Sequence, residues 1–187
     1  KVLLDNKREE DEIVVLLDEP KADQRIKTLL EGFAQSNSIK LIKDVFNNHF
    51  AEWKNKLNSY CSGDYIFQLD ADEYPAEGIF KTLPMIIEIH PTVDMYYVPR
   101  INTVEGITQE HISKWGWQVN KEGWVNWPDY QSRVYRNNKT IKWENKVHEK
   151  IMGHKQYSIL PQEAHLALHH PKSIEKQEKQ NNFYDKL

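Results

Sequence analysis

The feature that most constrains the fold is a regular alternation of strand-like and helix-like segments in the first half of the chain. Residues 12–18, 38–43 and 64–70 are dense in Ile, Val, Leu, Tyr or Phe, as expected of strands. Residues 22–35 and 49–63, which separate them, carry apolar side chains at helical spacing. Strands joined by helical crossovers run parallel, with right-handed connections. The pattern therefore predicts an α/β fold with a mostly parallel central sheet and helices on both faces.

The second half of the chain is less regular and predicts a small antiparallel part. The pattern predicts a helix at 77–89, a strand at 95–99, a long functional loop at 100–128, a hairpin of 131–135 with 140–143, short strands at 146–151 and 164–169, and a polar helix at 173–187. Residues 1–6 look like the end of a helix rather than a first strand. We therefore expect that the natural protein begins earlier and that an N-terminal strand is missing.

Composition excludes several classes of protein. With 187 residues, we expect one domain, and 25 Lys and Arg dispersed among 28 Asp and Glu argue against a nucleic-acid partner. The apolar runs are too short for a transmembrane segment. Cys61 is the single cysteine, so a reducing compartment is the default and we expect a cytoplasmic location.

Carboxylates gather where two of the predicted strands end. Asp18 and Asp70 close strands, and Asp72 and Glu73 follow Asp70 directly in the stretch QLDADEYP. In an open α/β sheet, ligands bind outside the carboxyl ends of the strands. Oxygen ligands in a turn suit a hard cation such as Mg²⁺ or Mn²⁺, which usually shares them with substrate phosphates. The alternative is that these carboxylates are solvated and cap the next helix.

The joint spacing of these motifs resembles the inverting glycosyltransferases of family 2, which have the GT-A fold and an Asp-x-Asp motif. The family's D-x-x-x-x-D turn resembles DEPKAD, and its F-A-x-A-R-N-x-A-L and T-G-D-W-I-L-x-L-D-A-D-E segments resemble FAEWKNKLNSYCSGDYIFQLDADE. Downstream, PDYQSRVYRN, WENKVHEKI and LALHHP are similar to segments of one subgroup. Lys54 replaces the usual Arg, and DEPKAD lacks the usual Gly-Ser. The matching positions are Asp18, Asp23, Phe50, Ala51, Asn55, Gly63, Asp64, Leu69, Asp70, Ala71, Asp72 and Glu73.

The resemblance implies a metal-dependent enzyme with a nucleotide-sugar donor, a UDP-sugar by default. It implies a donor-binding half at about 1–99 and an acceptor-binding half at about 100–187. The acceptor would be a glycan or a lipid-linked or protein-linked group. In this interpretation Asp72 and Asp70 are metal ligands, Asp70 alternatively holds the ribose, and His169 matches the family's late histidine. His170 is the register alternative to His169.

The resemblance also assigns residues to the nucleotide-sugar donor. By resemblance, Asp18 and Asp23 contact the nucleoside, with helix capping as the alternative for both. Lys54 and Arg133 are candidates to bind the diphosphate. The alternative for Lys54 is that it is only a solvated helix lysine, and the alternative for Arg133 is that it is only a surface arginine on a strand.

The reaction also needs a base, because an attacking hydroxyl must lose its proton. By resemblance, Glu149 stands in chain order where many members of the family carry their catalytic acidic pair, and Asp129 is the rival candidate for the base. His148 would orient a substrate. Indole rings pack on sugars, so Trp115 and Trp117 are candidate sugar-binding residues, whereas Trp143 alternates with Ile141 and is predicted to be core.

Other functions remain open from the sequence. An Asp-x-Asp after a strand is also found in phosphatases that form an aspartyl-phosphate, but Tyr74 stands where they favour Thr or Val. A nucleotidyltransferase would need a Gly-rich phosphate loop, which a chain with 7 Gly does not show. The alternative outside these enzymes is a carbohydrate-binding module or an inactive transferase-like domain.

Overall fold

The computed structural model describes residues 1–146 and 148–184, without the side chains of residues 180 and 182–184. The helices are α1 (Val2–Asn6), α2 (Gln24–Gln35), α3 (Phe50–Asn58), α4 (Glu77–Ile89), α5 (Gln109–Trp115) and α6 (Ile174–Tyr184), and a short 3-10 helix spans Ala164–Leu166. The strands are β1 (Val14–Asp18), β2 (Lys40–Asp44), β3 (Tyr65–Phe67), β4 (Tyr74–Pro75), β5 (Met95–Val98), β6 (Arg100–Glu105), β7 (Gln131–Arg136), β8 (Lys142–Glu144), β9 (Lys150–Met152), β10 (Tyr157–Ile159) and β11 (Leu168–Ser173).

The chain divides into two compact units, each built from three stretches. The first unit comprises Lys1–Phe67, Thr92–Met95 and Val134–Tyr157, and the second comprises Gln68–Pro91, Tyr96–Arg133 and Ser158–Leu187. The predicted division into halves at about residue 99 stays a prediction.

The first unit begins with the predicted succession of strand, helix, strand, helix and strand. β1 and β2 pair in parallel, with Asp18 opposite Asp44 at their carboxyl ends. α2 begins where the Asp23 side chain accepts the backbone N–H of Arg25 at 2.8 Å. α3 begins at His49, which caps it through its ring. These elements confirm the predicted alternation.

The predicted α/β class is confirmed, whereas the described strands do not form one mostly parallel central sheet. β3 pairs antiparallel with β7, in a four-stranded sheet of order β10-β5-β7-β3. β11 pairs in parallel with β6 and antiparallel with β4, while β8 and β9 form an antiparallel pair. The chain is thus a mixed α/β protein.

The predicted hairpin of 131–135 with 140–143 is wrong. β8 pairs with β9, the next strand along the chain. The segment between β7 and β8 makes its own hydrogen bonds. The Asn138 carboxamide oxygen accepts the backbone N–H groups of Thr140 and Ile141, and Asn137 donates to the carbonyl of Gly63 at 2.9 Å. These bonds turn the chain away from β7, so β8 takes a different partner.

The predicted loop at 100–128 is also partly regular. Its start forms β6, which pairs with the sequence-distant β11, and its middle forms α5. Thr108 and His111 form a reciprocal capping box at the start of α5, and Gly116 ends the helix at φ +64°. The sequence contained this cap, whereas the partner of β6 could only be found in the tertiary structure.

Each unit has buried apolar residues of its own. In the first unit, the most buried include Ala51, Tyr135, Trp143 and Ile151, which confirms Trp143 as core. In the second unit, they include Ile79, Tyr96, Val98, Ile101 and Leu168. No helix in the described part of the chain is long and apolar enough to cross a membrane.

Candidate active site

The acidic turn that follows β3 is closed by its own carboxylate. The Asp70 backbone N–H donates to Glu73 Oε2 at 3.2 Å, and the Glu73 N–H donates to the Asp70 carbonyl at 3.0 Å. Asp72 lies within this turn. These two hydrogen bonds therefore fix the backbone on either side of Asp72.

Glu73 is the buried centre of the turn. Its side chain is fully buried and accepts from Arg133 Nη2 at 2.8 Å and from Arg100 Nη1 at 2.7 Å. Burial alone would raise the pKa of Glu73, but the two guanidinium groups outweigh it and hold the pKa below its ordinary value. Arg133 Nη2 also lies 2.5 Å from Asp70 Oδ2. The two arginines thus hold the acidic turn in one conformation.

Asp72 lies beside two cationic or potentially cationic groups. Its Oδ2 is 3.5 Å from His170 Nε2 and 3.0 Å from Lys176 Nζ. The His170 side chain is largely buried, whereas Lys176 is exposed on α6. Hydrogen bonds from His170 and Lys176, acting against the effect of burial, hold the pKa of the Asp72 carboxyl well below its usual range.

His170 is held from its other side by Asn102. His170 Nδ1 and Asn102 Oδ1 are 2.8 Å apart, and the two residues are register partners on β11 and β6. The Asn102 amide nitrogen donates to Asp129 Oδ2 at 2.9 Å. A hydrogen-bonded chain thus leads from Asp129 through Asn102 to the histidine beside Asp72.

Asp129 is surrounded by donors. Its Oδ2 accepts from Arg100 at 2.6 Å as well as from Asn102, and its Oδ1 accepts from Gln131 Nε2 at 2.8 Å. Burial by itself would raise the pKa of Asp129, but the charge of Arg100 and the hydrogen bonds hold it below the ordinary value. A carboxylate stabilised in this way is a weak base.

The donor atoms beside Asp72 fit a divalent cation in part. One carboxylate and one imidazole nitrogen lie side by side, and a cation of this kind commonly completes its shell with water and substrate phosphates. Within residues 1–146 and 148–184, no cluster of three or more His, Cys, Asp or Glu that could bind a metal is found. Asp72 and His170 could therefore hold a metal only together with further ligands from water or substrate.

A cavity in the second unit opens beside His170. Its lining includes Asn102, Trp117, His170 and Lys172. The Trp117 ring packs on Trp115 with 4.7 Å between centroids. The structure thus places Trp117, one of the two predicted sugar-binding tryptophans, at the cavity, with the other in contact with its ring.

His169 lies in the second unit, against Tyr74. Its ring stacks on Tyr74 at 4.9 Å and 12°, and burial lowers its pKa. The assignment of His169 as a metal ligand stays a prediction, with His170 as the residue that adjoins Asp72.

In the first unit, carboxylates end both parallel strands. Asp18 Oδ1 accepts the backbone N–H of Phe46 at 3.1 Å, and Lys21 lies 3.8 Å from its Oδ2. Asp44 is opposite Asp18 and pairs with Lys56. The Asp18 side chain is 22% exposed.

Asp23 takes the capping position at the start of α2. It accepts both the backbone N–H and the side chain of Arg25, at 2.8 and 3.0 Å. This is the capping role that the sequence offered as the alternative. Its assignment to the donor nucleoside stays a prediction.

Lys54 and Glu149 form a largely buried ion pair in the first unit. Lys54 Nζ lies 2.7 Å from Glu149 Oε1 and 4.3 Å from the centroid of the Trp143 ring. His148, which precedes Glu149, has φ +54°. The structure thus brings together Lys54, Glu149 and Trp143, which the sequence analysis had treated separately.

Several residues of these clusters escaped the sequence analysis. Asn102 and Lys176 were not singled out, and Arg100 and Asp44 were not assigned to the site. For Asp44 a signal was present, since a third strand also ends in Asp. For Asn102 there was none, because its importance lies in the pairing of β6 with β11.

Comparison with known families decides the identity of the domain. The model of Glycosyl transferase family 2 matches residues 1–159. The chain belongs to glycosyl transferase family 2. A search among curated proteins found no match. Family 2 membership makes glycosyl transfer, with a nucleotide-sugar donor and an acceptor, the function of this domain type.

Proposed function

We propose that this family 2 domain is a metal-dependent inverting glycosyltransferase that moves a sugar from a nucleotide-diphosphate sugar, a UDP-sugar, to an acceptor hydroxyl. The observation that carries the proposal is the pairing of Asp72 with His170 on a turn fastened by Glu73, within a chain of this family.

Asp72 and His170 would hold Mn²⁺ or Mg²⁺, with Asp70 as a further ligand or a contact to the ribose. The cation neutralises the charge that develops on the departing diphosphate. The carboxylate oxygen and ring nitrogen already lie side by side, and diphosphate oxygens would complete the shell. Carboxylates beside a diphosphate would otherwise repel it.

The donor's nucleoside would contact Asp18 and Asp23, and Arg133 and Lys54 would act near the diphosphate. In the structure both cations are paired, Arg133 with Asp70 and Glu73 and Lys54 with Glu149. A direct phosphate contact by either therefore requires that it gives up part of these interactions.

The transfer itself forms one bond and breaks one. The acceptor oxygen bonds to the anomeric carbon while the bond from that carbon to the diphosphate oxygen breaks, so the configuration inverts and a nucleoside diphosphate leaves. Glu149 would take the proton of the acceptor hydroxyl, and His148 would orient a substrate. We favour Glu149 over Asp129 because Glu149 stands, in chain order, where many members of the family carry their catalytic acidic pair. Both carboxylates are engaged, Glu149 by Lys54 and Asp129 by Arg100, Asn102 and Gln131.

The cavity beside His170 would receive a sugar. The Trp117 ring at its wall offers a face on which a pyranose can pack. Trp115 packs against that ring. The acceptor would be a glycan or a lipid-linked or protein-linked hydroxyl.

The deciding experiment is a thermal-shift panel of UDP, GDP and TDP and their sugars, each with and without Mn²⁺. A ligand that binds only the native state raises the melting temperature. We expect the largest rise with a uridine nucleotide and Mn²⁺ together, and slow metal-dependent hydrolysis of the matching sugar. Binding of free sugars without any nucleotide effect would instead support a carbohydrate-binding module, and phosphate release from phosphate esters would support a phosphatase.

A further inference from the structure

We infer that Asn102 is a positioning residue that holds the neutral His170 ring in the tautomer with its proton on Nδ1, so that Nε2 presents its lone pair towards Asp72. For the neutral ring, the tautomer follows from the two hydrogen bonds of Asn102, whereas its use in binding a cation rests on the proposed function.

The orientation of the Asn102 amide is fixed by its neighbour. A carboxylate can only accept, so the Asn102 group 2.9 Å from Asp129 Oδ2 must be the NH₂ group. The opposite orientation would set the amide oxygen against a carboxylate that also accepts from Arg100 at 2.6 Å. The Asn102 oxygen therefore faces His170.

The tautomer of His170 follows from that orientation. An amide oxygen can only accept, so Nδ1, at 2.8 Å from it, carries the proton. A neutral imidazole has one protonated nitrogen, which leaves the lone pair on Nε2, 3.5 Å from Asp72 Oδ2. In the protonated ring Nε2–H donates to Asp72, and in the neutral ring a shared cation can take the place of that proton.

The scaffold makes this arrangement rigid. Asn102 and His170 are register partners on two parallel strands, and His170 is buried. Asp129 is itself held by Arg100 and Gln131. Partners of this kind, which orient a ligand residue without contacting the metal, commonly change metal affinity by about 10- to 100-fold when removed.

The first test reads the tautomer directly by long-range ¹H–¹⁵N NMR of the whole chain without metal, at a pH where the spectrum shows a neutral ring. His170→Gln identifies the signals. We expect a protonated Nδ1 in the wild type, where the Asn102 oxygen accepts from it. We expect loss of that preference in Asn102→Leu, which removes the acceptor.

Gln131→Leu is the matched control. It removes the other amide that donates to Asp129 but does not touch the bond between Asn102 and His170. It should therefore keep the Nδ1–H tautomer. A protonated Nε2 in the wild type would overturn the inference even if every variant failed to fold, and so would an unchanged tautomer in a folded Asn102→Leu protein.

The second test is calorimetric titration with Mn²⁺ in the presence of UDP. We expect about 10- to 100-fold weaker Mn²⁺ binding by Asn102→Leu, and near wild-type binding by Gln131→Leu. Equal losses in both variants would make Asn102 merely structural and contradict its positioning role. If the wild type has the expected tautomer but binds no Mn²⁺, the proposed function fails while the tautomer assignment stands.

Discussion

Lys54 Nζ lies 2.7 Å from Glu149 Oε1, and both side chains are largely buried, with 9% and 17% of their surface exposed. A buried charge that loses its partner typically costs about 3–5 kcal/mol of stability. Glu149, the proposed base, is therefore also a structural partner of Lys54. Any test of its chemistry has to separate these two roles.

Glu149→Gln should leave donor binding in place and lower the transfer rate by about 10² to 10⁴, because the amide keeps the shape but not the basicity. Donor affinity and transfer rate are measured side by side, together with the melting temperature. Lys54→Gln breaks the same ion pair without removing the carboxylate. Equal losses of transfer rate in the two variants, with donor affinity unchanged in both, would reduce Glu149 to a structural role. A larger loss in Asp129→Asn would move the base to Asp129.

Asp72→Asn should abolish Mn²⁺-dependent nucleotide binding while the chain stays folded, because an amide is a far weaker ligand for a hard cation. Calorimetry with UDP and Mn²⁺ measures the loss. Asp11→Asn is the control, since it removes a carboxylate from a pair with Arg8. Unchanged affinity in Asp72→Asn would refute the assignment of Asp72 as a ligand.

The two neighbouring histidines give opposite expectations. His170→Leu should weaken Mn²⁺ binding by at least about tenfold, because His170 adjoins Asp72. His169→Leu should leave Mn²⁺ binding nearly unchanged, since its ring stacks on Tyr74. The reverse result would restore the assignment made from the sequence, with His169 as the ligand.

Lys176→Met should strengthen Mn²⁺ binding, because the ammonium group no longer competes for Asp72. An exposed ion pair contributes about 0.2–1 kcal/mol, so the gain should be about 1.4- to fivefold at low salt and smaller at high salt. Lys179→Met, on the same helix, is the control. Weaker binding by Lys176→Met would indicate that the lysine assists the ligand instead.

The pH dependence of stability should report the Asp129 network. Its pKa is lowered in the folded state, so its contribution is present above the unfolded pKa of about 3.9 and is lost as the pH falls through the folded pKa. Asp129→Asn should cost about 1–3 kcal/mol near neutral pH and flatten the decline in acid. Urea unfolding between pH 3 and pH 7 measures both, and parallel curves for the two proteins would contradict the prediction.

The sequence was sufficient wherever a local signal specifies the structure. The apolar periodicity of the first 60 residues predicted β1, α2, β2 and α3, because each of these elements buries one face of a single segment. The stretch QLDADEYP placed the acidic turn at a strand end, and the combined motifs indicated the family that the comparison then showed.

Only the tertiary structure decided which partners these residues meet. The pairing of β6 with β11 brings Asn102 to His170 across 68 positions of the chain, and the bond from Asn102 to Asp129 then turns the Asn102 oxygen towards Nδ1 of that ring. No local pattern encodes such a contact, because strand pairing depends on the burial of whole faces and not on the residues that the pairing happens to juxtapose. For the same reason the resemblance left His169 and His170 as register alternatives, and only the structure shows that His170 is the one 3.5 Å from Asp72.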